Sequence, residues 1–188
     1  MTKRDELRSD IEETQRAFHR LLGEVPDDAY SRPSDNPAWN IGQVLFHMSV
    51  APRLMVQDVG MITGERRILK QIPRVVPRWL FDWVNKVYTQ QAARHASHQF
   101  LADRYDRATA NILKTLESVG DNDFAKSANY PGWDPLLSGK VTLEQLFRYV
   151  GAHFRVHEQQ IRRALQSGPG CLPPRVEEGA LQPPAQPR

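Results

Sequence analysis

The segment Val141-Thr-Leu-Glu-Gln-Leu-Phe-Arg-Tyr-Val-Gly-Ala-His153-Phe-Arg-Val-His157-Glu-Gln-Gln-Ile161 is patterned as one amphipathic helix. Leu146, Val150 and Ile161 recur at helical spacing, and Thr142 followed three residues later by Gln145 has the form of a capping box. His153 and His157 share the apolar stripe. Side chains four residues apart stack on one helix face, so the two imidazoles can point at a common spot. A face that must be buried rarely carries two ionisable rings without a partner for them. A divalent metal is the simplest such partner, because neutral imidazole is a common ligand for one.

Outward from this segment, the chain reads as four helices and no convincing strand. The first runs from about Asp5 to Gly23, with Leu7, Ile11, Thr14, Phe18, Leu21 and Leu22 on its stripe; Pro26 prevents its continuation. The second starts at Asn40, with Gln43 in the capping-box position, and buries Ile41, Val44, Leu45, Met48 and Met55 before ending near Gly60 to Gly64. Pro52 lies inside it, leaves the Met48 carbonyl unpaired and should kink it. A third covers roughly Tyr88 to Val119, with His98, Leu101, Tyr105, Ala108, Ile112 and Leu116 facing inwards and Gly120 as a stop. The fourth runs from about Thr142 to Gln166. All three connections are long enough to be crossovers, which permits helices two and three to run parallel.

His47 completes the ligand set on geometric grounds. It borders the inward face of helix two, with Val44 before it and Ala51 and Leu54 after it. It lies one and a half to two turns from the start of that helix, while His153 and His157 lie about three turns before the end of helix four. In antiparallel neighbours, at ~1.5 Å per residue, the three rings reach similar heights. Three histidines leave at least one position for water or substrate, the arrangement of a catalytic rather than a structural zinc site. His98 is a weaker candidate, as a ligand or a catalytic base near the level of His47. His19 and His95 are expected at solvated or boundary positions. The spacing of His153 and His157 resembles the zinc-protease HExxH motif, but Phe154 stands where the general-base glutamate is needed, which excludes that chemistry.

With 188 residues, 40% hydrophobic and 25% charged, the chain has the size and composition of one soluble domain. Its net charge of +3 is too small to argue for a nucleic-acid partner. No stretch approaches the ~18 apolar residues of a membrane span, and the N-terminus has no signal-peptide pattern. The single cysteine, Cys171, precludes an internal disulfide, so a cytoplasmic setting without nucleic-acid or membrane partners is expected. Residues 1–167 are expected to form one bundle domain with an insertion at about 65–87, and residues 168–188 a disordered, proline-rich tail. The insertion is basic and apolar, with Trp79, Leu80, Phe81, Trp83 and Val84 as its aromatic cluster. It is expected to pack over one end of the bundle; a lid presenting Arg74 or Arg78 to an anionic substrate is the sharper reading.

The helix-two opening Trp39-Asn-Ile-Gly-Gln-Val-Leu-Phe-His47 and the His153/His157 helix together resemble the DinB-like (YfiT-type) four-helix bundles over roughly residues 5 to 166. The resemblance implies an all-α, left-handed up-down-down-up four-helix bundle. It also implies a divalent metal (zinc, nickel or iron) held by His47, His153 and His157. Some members are thiol S-transferases or isomerases that use a low-molecular-weight bacterial thiol, and others are described as metal-dependent hydrolases. Pro52 and the long insertion depart from a minimal member. The expectation is therefore a metal-dependent thiol S-transferase or hydrolase acting on a small-molecule substrate, with a homodimer compatible with such a bundle. The alternative is a non-catalytic bundle that binds metal, a small ligand or a partner.

Overall fold

The computed structural model describes residues 1–64, 77–94 and 96–167. These are mostly helical, with one two-stranded antiparallel hairpin. Helix α1 spans Lys3–Glu24, and Thr2 and Asp5 form a reciprocal capping box at its start. Its buried residues are Leu7, Ile11, Thr14, Phe18, Leu21 and Leu22, the stripe expected from the spacing. Asn40 and Gln43 cap helix α2, Ile41–Met48, in the same way.

The expected second helix is broken rather than merely kinked. α2 ends at Met48, and α3, Val50–Thr63, starts beyond Ser49. Pro52 sits in the first turn of α3, where its missing N–H is tolerated. Ser49 closes α2 by donating both its N–H and its hydroxyl to the Phe46 carbonyl, at 3.1 and 2.7 Å. Gly64, at φ 97°, terminates α3 in the left-handed conformation.

The expected third helix is broken: its first residues, Tyr88–Ala92, are the end of α4, Arg78–Ala92, a helix that lies mostly in the insertion, and the remainder is α5, His98–Ser118. The Ala93 N–H turns back to the Thr89 carbonyl at 3.0 Å, and the Ser97 hydroxyl accepts from the Phe100 N–H at 3.2 Å to start a new helix. Ser97 is the cap that the hydrophobic periodicity alone runs through.

The chain is mostly helical as expected, but the expectation of no strand is corrected. β1, Ser127–Asp134, pairs antiparallel with β2, Leu137–Thr142, with an irregularity between Pro131 and Asp134. Proline, two glycines and few β-branched residues make this segment read as a loop. It pairs because Gly132 takes φ 71° and the Asp134 carboxylate accepts the Leu136 N–H at 2.8 Å, closing the turn. Thr142 then ends β2 and caps the last helix, α6, Leu143–Gln166, with Gln145 completing its capping box.

α1 packs against α5 and α6, α3 against the same two helices, and α2 against α6. Gly151 lets α1 approach α6 closely: a Cβ there would stand 3.2 Å from the Thr14 hydroxyl. Two apolar clusters result. One joins Phe18, Leu22, Leu45, Phe46, Tyr105 and Ile161, with the Phe18 and Tyr105 rings stacked at 3.9 Å. The other joins Leu7, Ile11, Met55, Ile112, Phe147 and Val150. Each fully buried large side chain stabilises the fold by ~1.5–3 kcal/mol. On α6, His153 falls between Val150 of one cluster and Phe154 of the other, so the histidines lie along the seam. Among the described residues, no helix is long and apolar enough to cross a membrane.

Candidate metal centre

α2 delivers His47 from its last turn, and the middle of α6 delivers His153 and His157. The three rings converge through one kind of atom. Nε2 of His153 lies 3.3 Å from Nε2 of His47 and 3.2 Å from Nε2 of His157. All three donor atoms fall within 4.8 Å of one another. His153 and His157 are buried, and Trp39 packs against the His47 ring with centroids 4.4 Å apart. The backbone that carries Trp39 is tied down: the Ser34 hydroxyl donates to the Trp39 carbonyl at 2.8 Å, and the Gln90 amide of α4 donates to the Ala38 carbonyl at 2.9 Å.

Hydrogen bonding and burial leave these rings in the form a cation needs. The His157 Nδ1–H donates to Gln160 Oε1 at 2.8 Å, which leaves a lone pair on Nε2. Burial, joined by the charge of His157, pushes the His47 imidazole down to about 3. Burial also holds His153 well below the ordinary histidine range. The His157 imidazole is lowered by the same cause, against partial opposition from Gln160 and Asp134. Three neutral imidazoles cannot all be satisfied by one another. With His157 bare at Nε2, a proton on His153 Nε2 cannot make a well-directed bond to both neighbours at once. The donor set therefore fits a divalent cation of the zinc, nickel or iron type, for which imidazole nitrogen is a suitable ligand.

A cavity of about 530 Å³ opens beside His47 and His153. α3 contributes Ala51, Met55 and Asp58 to its wall, and α4 contributes Phe81, Val84 and Tyr88. The hairpin adds Tyr130, Trp133 and Asp134, and α6 adds Tyr149. Tyr149 links wall and centre: its ring lies 5.3 Å from that of His153, and its hydroxyl donates to the Asp134 carboxylate. Burial pushes the Asp58 carboxyl up to about 6, and the nearby Tyr130 hydroxyl pulls it partly back. That hydroxyl is itself buried and falls short of hydrogen-bond geometry with any group in the structure. Another concavity of about 500 Å³, between α1 and α6, is lined by charged side chains such as Glu13, Arg148 and Arg155 and holds none of the three histidines.

His98 is exposed in the first turn of α5 and joins neither the histidine cluster nor the cavity wall. His19 is half-exposed and bonded to Asp106 at 2.7 Å. His95 and Arg74 lie outside the described residues, and Arg78 is exposed beside Asp82. Among the described residues, the inserted segment reaches the cavity through Phe81, Val84 and Asn85 of α4. Reading for histidines missed Asp58, Tyr130, Asp134 and Tyr149. Two of them carried a signal: Tyr149 stands four residues before His153 on the same stripe, and Asp58 extends the series His47, Ala51, Met55 along one face.

The family model described as the DinB superfamily matches residues 10–161. No curated protein and no solved structure matches the chain.

Proposed function

The chain belongs to the DinB superfamily, and on that premise we propose that it is a metal-dependent enzyme, a thiol S-transferase or hydrolase acting on a small molecule. The observation that carries this reading is the convergence of three Nε2 atoms, those of His153 and His157 on buried residues, beside a largely apolar cavity. His47, His153 and His157 would hold the divalent cation. When bound, such an ion supplies Lewis-acid stabilisation of developing negative charge and lowers the pKa of a thiol or water.

The protein's own groups do the rest. Gln160 fixes the tautomer of His157, and Trp39 holds the His47 ring. Val50, Ala51 and Met55 keep water from the seam, which strengthens every electrostatic interaction there. Tyr149 couples His153 to Asp134, and Asp58 can hold a proton at its carboxylate near neutral pH. A low-molecular-weight bacterial thiol fits the transferase form of the reading. The fold belongs to the same proposal: α1, the broken pair α2–α3, α5 and α6 are the members of a left-handed up-down-down-up four-helix bundle. That bundle forms one domain over residues 1–167 in a cytoplasmic protein.

A turnover screen tests the proposal, with the zinc-, nickel- and iron-loaded chain assayed against thiol–electrophile pairs and against activated esters and amides. Turnover that His153→Ala abolishes is the expected result. Stoichiometric metal without turnover in any pairing would leave a non-catalytic binding bundle.

A further inference from the structure

The cavity beside the histidines has a chemical character of its own. Its walls are aromatic: the Phe81 and Trp133 rings stack with centroids 4.9 Å apart, and Tyr88, Tyr130 and Tyr149 also line it. Ring faces carry negative charge density and attract cations, most strongly where water is excluded. Two carboxylates face the same space. Asp134 is already engaged, accepting the Tyr149 hydroxyl and the Leu136 N–H. Asp58 is not. No cationic side chain among the described residues compensates it, and its neighbour Tyr130 has a buried hydroxyl without a hydrogen-bond partner.

The arginine nearest to hand does not fill that role. Arg53 is exposed at the mouth, where its guanidinium donates to the Tyr88 hydroxyl at 3.2 Å. Tyr88 also receives Arg104 at 3.1 Å, so both cations are tied to the rim. An anionic ligand inside would meet two carboxylates and the negative faces of the rings. A neutral one would leave the partly buried Asp58 charge without a counter-charge, which is costly. A ligand with a cationic head removes that cost.

Resting on the small-molecule site proposed above, we propose that this cavity takes an organic cation. An ammonium-type group sits between Asp58 and the aromatic walls, and the remainder of the ligand reaches towards His47 and His153. This assigns Asp58 and Trp133 as specificity-determining residues for the substrate of that site.

The test compares two probes of the same shape. Choline is the cation, and dimethylbutanol, the alcohol with carbon in place of the ammonium nitrogen, is its neutral isostere. Neither quaternary nitrogen nor its carbon counterpart can coordinate a metal. Affinities are read by ligand-detected NMR with the full-length, zinc-loaded chain. Choline should bind at least about tenfold more tightly than the isostere. Asp58→Asn should bring the two within about twofold, and Trp133→Leu should weaken choline while leaving the isostere unchanged. Equal binding of the two probes, a preference for the isostere, or no binding of choline would overturn the proposal. Should Asp58→Asn fail to fold, the Trp133→Leu comparison decides alone. Zinc stoichiometry measured on the same samples separates the two readings: a cation preference without zinc binding defeats the metal-dependent enzyme and leaves the cation site standing.

Discussion

His47 and Asp58 face one cavity from the two halves of a broken helix, and burial moves them in opposite directions. The imidazole is pushed down to about 3 and stays neutral, while the carboxyl is pushed up to about 6 and titrates near neutrality. In both cases desolvation disfavours the charged form. The same physical cause thus yields a lone pair ready for a cation at one position and an acid–base group at the other.

The difference sets the sign of each group's contribution to stability. The folded-state pKa of His47 lies below the ordinary 6.5, so in the metal-free chain its contribution is complete above that value and is lost as pH falls towards about 3. The folded-state pKa of Asp58 lies above the ordinary 3.8, so its contribution is complete below that value and is lost as pH rises through about 6.

Predictions that could break this contrast run from strong to weak. His153→Ala removes the ligand shared by both close Nε2 pairs, and its affinity for zinc should fall by more than about hundredfold, measured by competition with a chromogenic chelator. Gln160→Ala frees His157 to adopt the wrong tautomer, and a smaller loss of about 10- to 100-fold is expected in the same assay. Asp58→Asn should act on stability with the other sign. At pH 7 the metal-free variant should be about 1–2 kcal/mol more stable than the parent in urea, and the advantage should vanish by pH 4. Thr142→Ala should lose about 1 kcal/mol in the same urea experiment by uncapping α6, with zinc affinity unchanged within about twofold. Were Asp58→Asn to lose stability at pH 7 instead, the carboxylate would have a partner and the contrast with His47 would fail.

The histidine side of this contrast was legible in the sequence and the carboxylate side was not. His153 and His157 announced themselves by standing on the stripe of a capped helix, and His47 by its register in a second one. Both depend on local periodicity and capping, which a single segment carries in full. Asp58 and Asp134 acquire meaning only when α3, α4 and the hairpin meet, and no local pattern encodes that meeting. The hairpin itself was hidden because Pro131, Gly132 and Gly139 read as loop, whereas the turn at Asp134 and pairing with β2 make it a strand. The end of α4, Tyr88–Ala92, reads as continuous with α5 because apolar spacing runs across the gap, and the decisive signal is one serine, Ser97. The same spacing predicts an inward-facing His98, but as the first residue after that cap it is exposed.

Metal stoichiometry tests the central claim most directly. The full-length chain, purified without chelators and reconstituted in turn with zinc, nickel and iron, is dialysed to equilibrium and its metal content measured beside that of His47→Ala and His153→Ala. One ion per chain at neutral pH, absent from both variants, is the predicted result. A wild-type chain that retains none of the three metals, or variants that retain them as well as the parent does, would contradict the account.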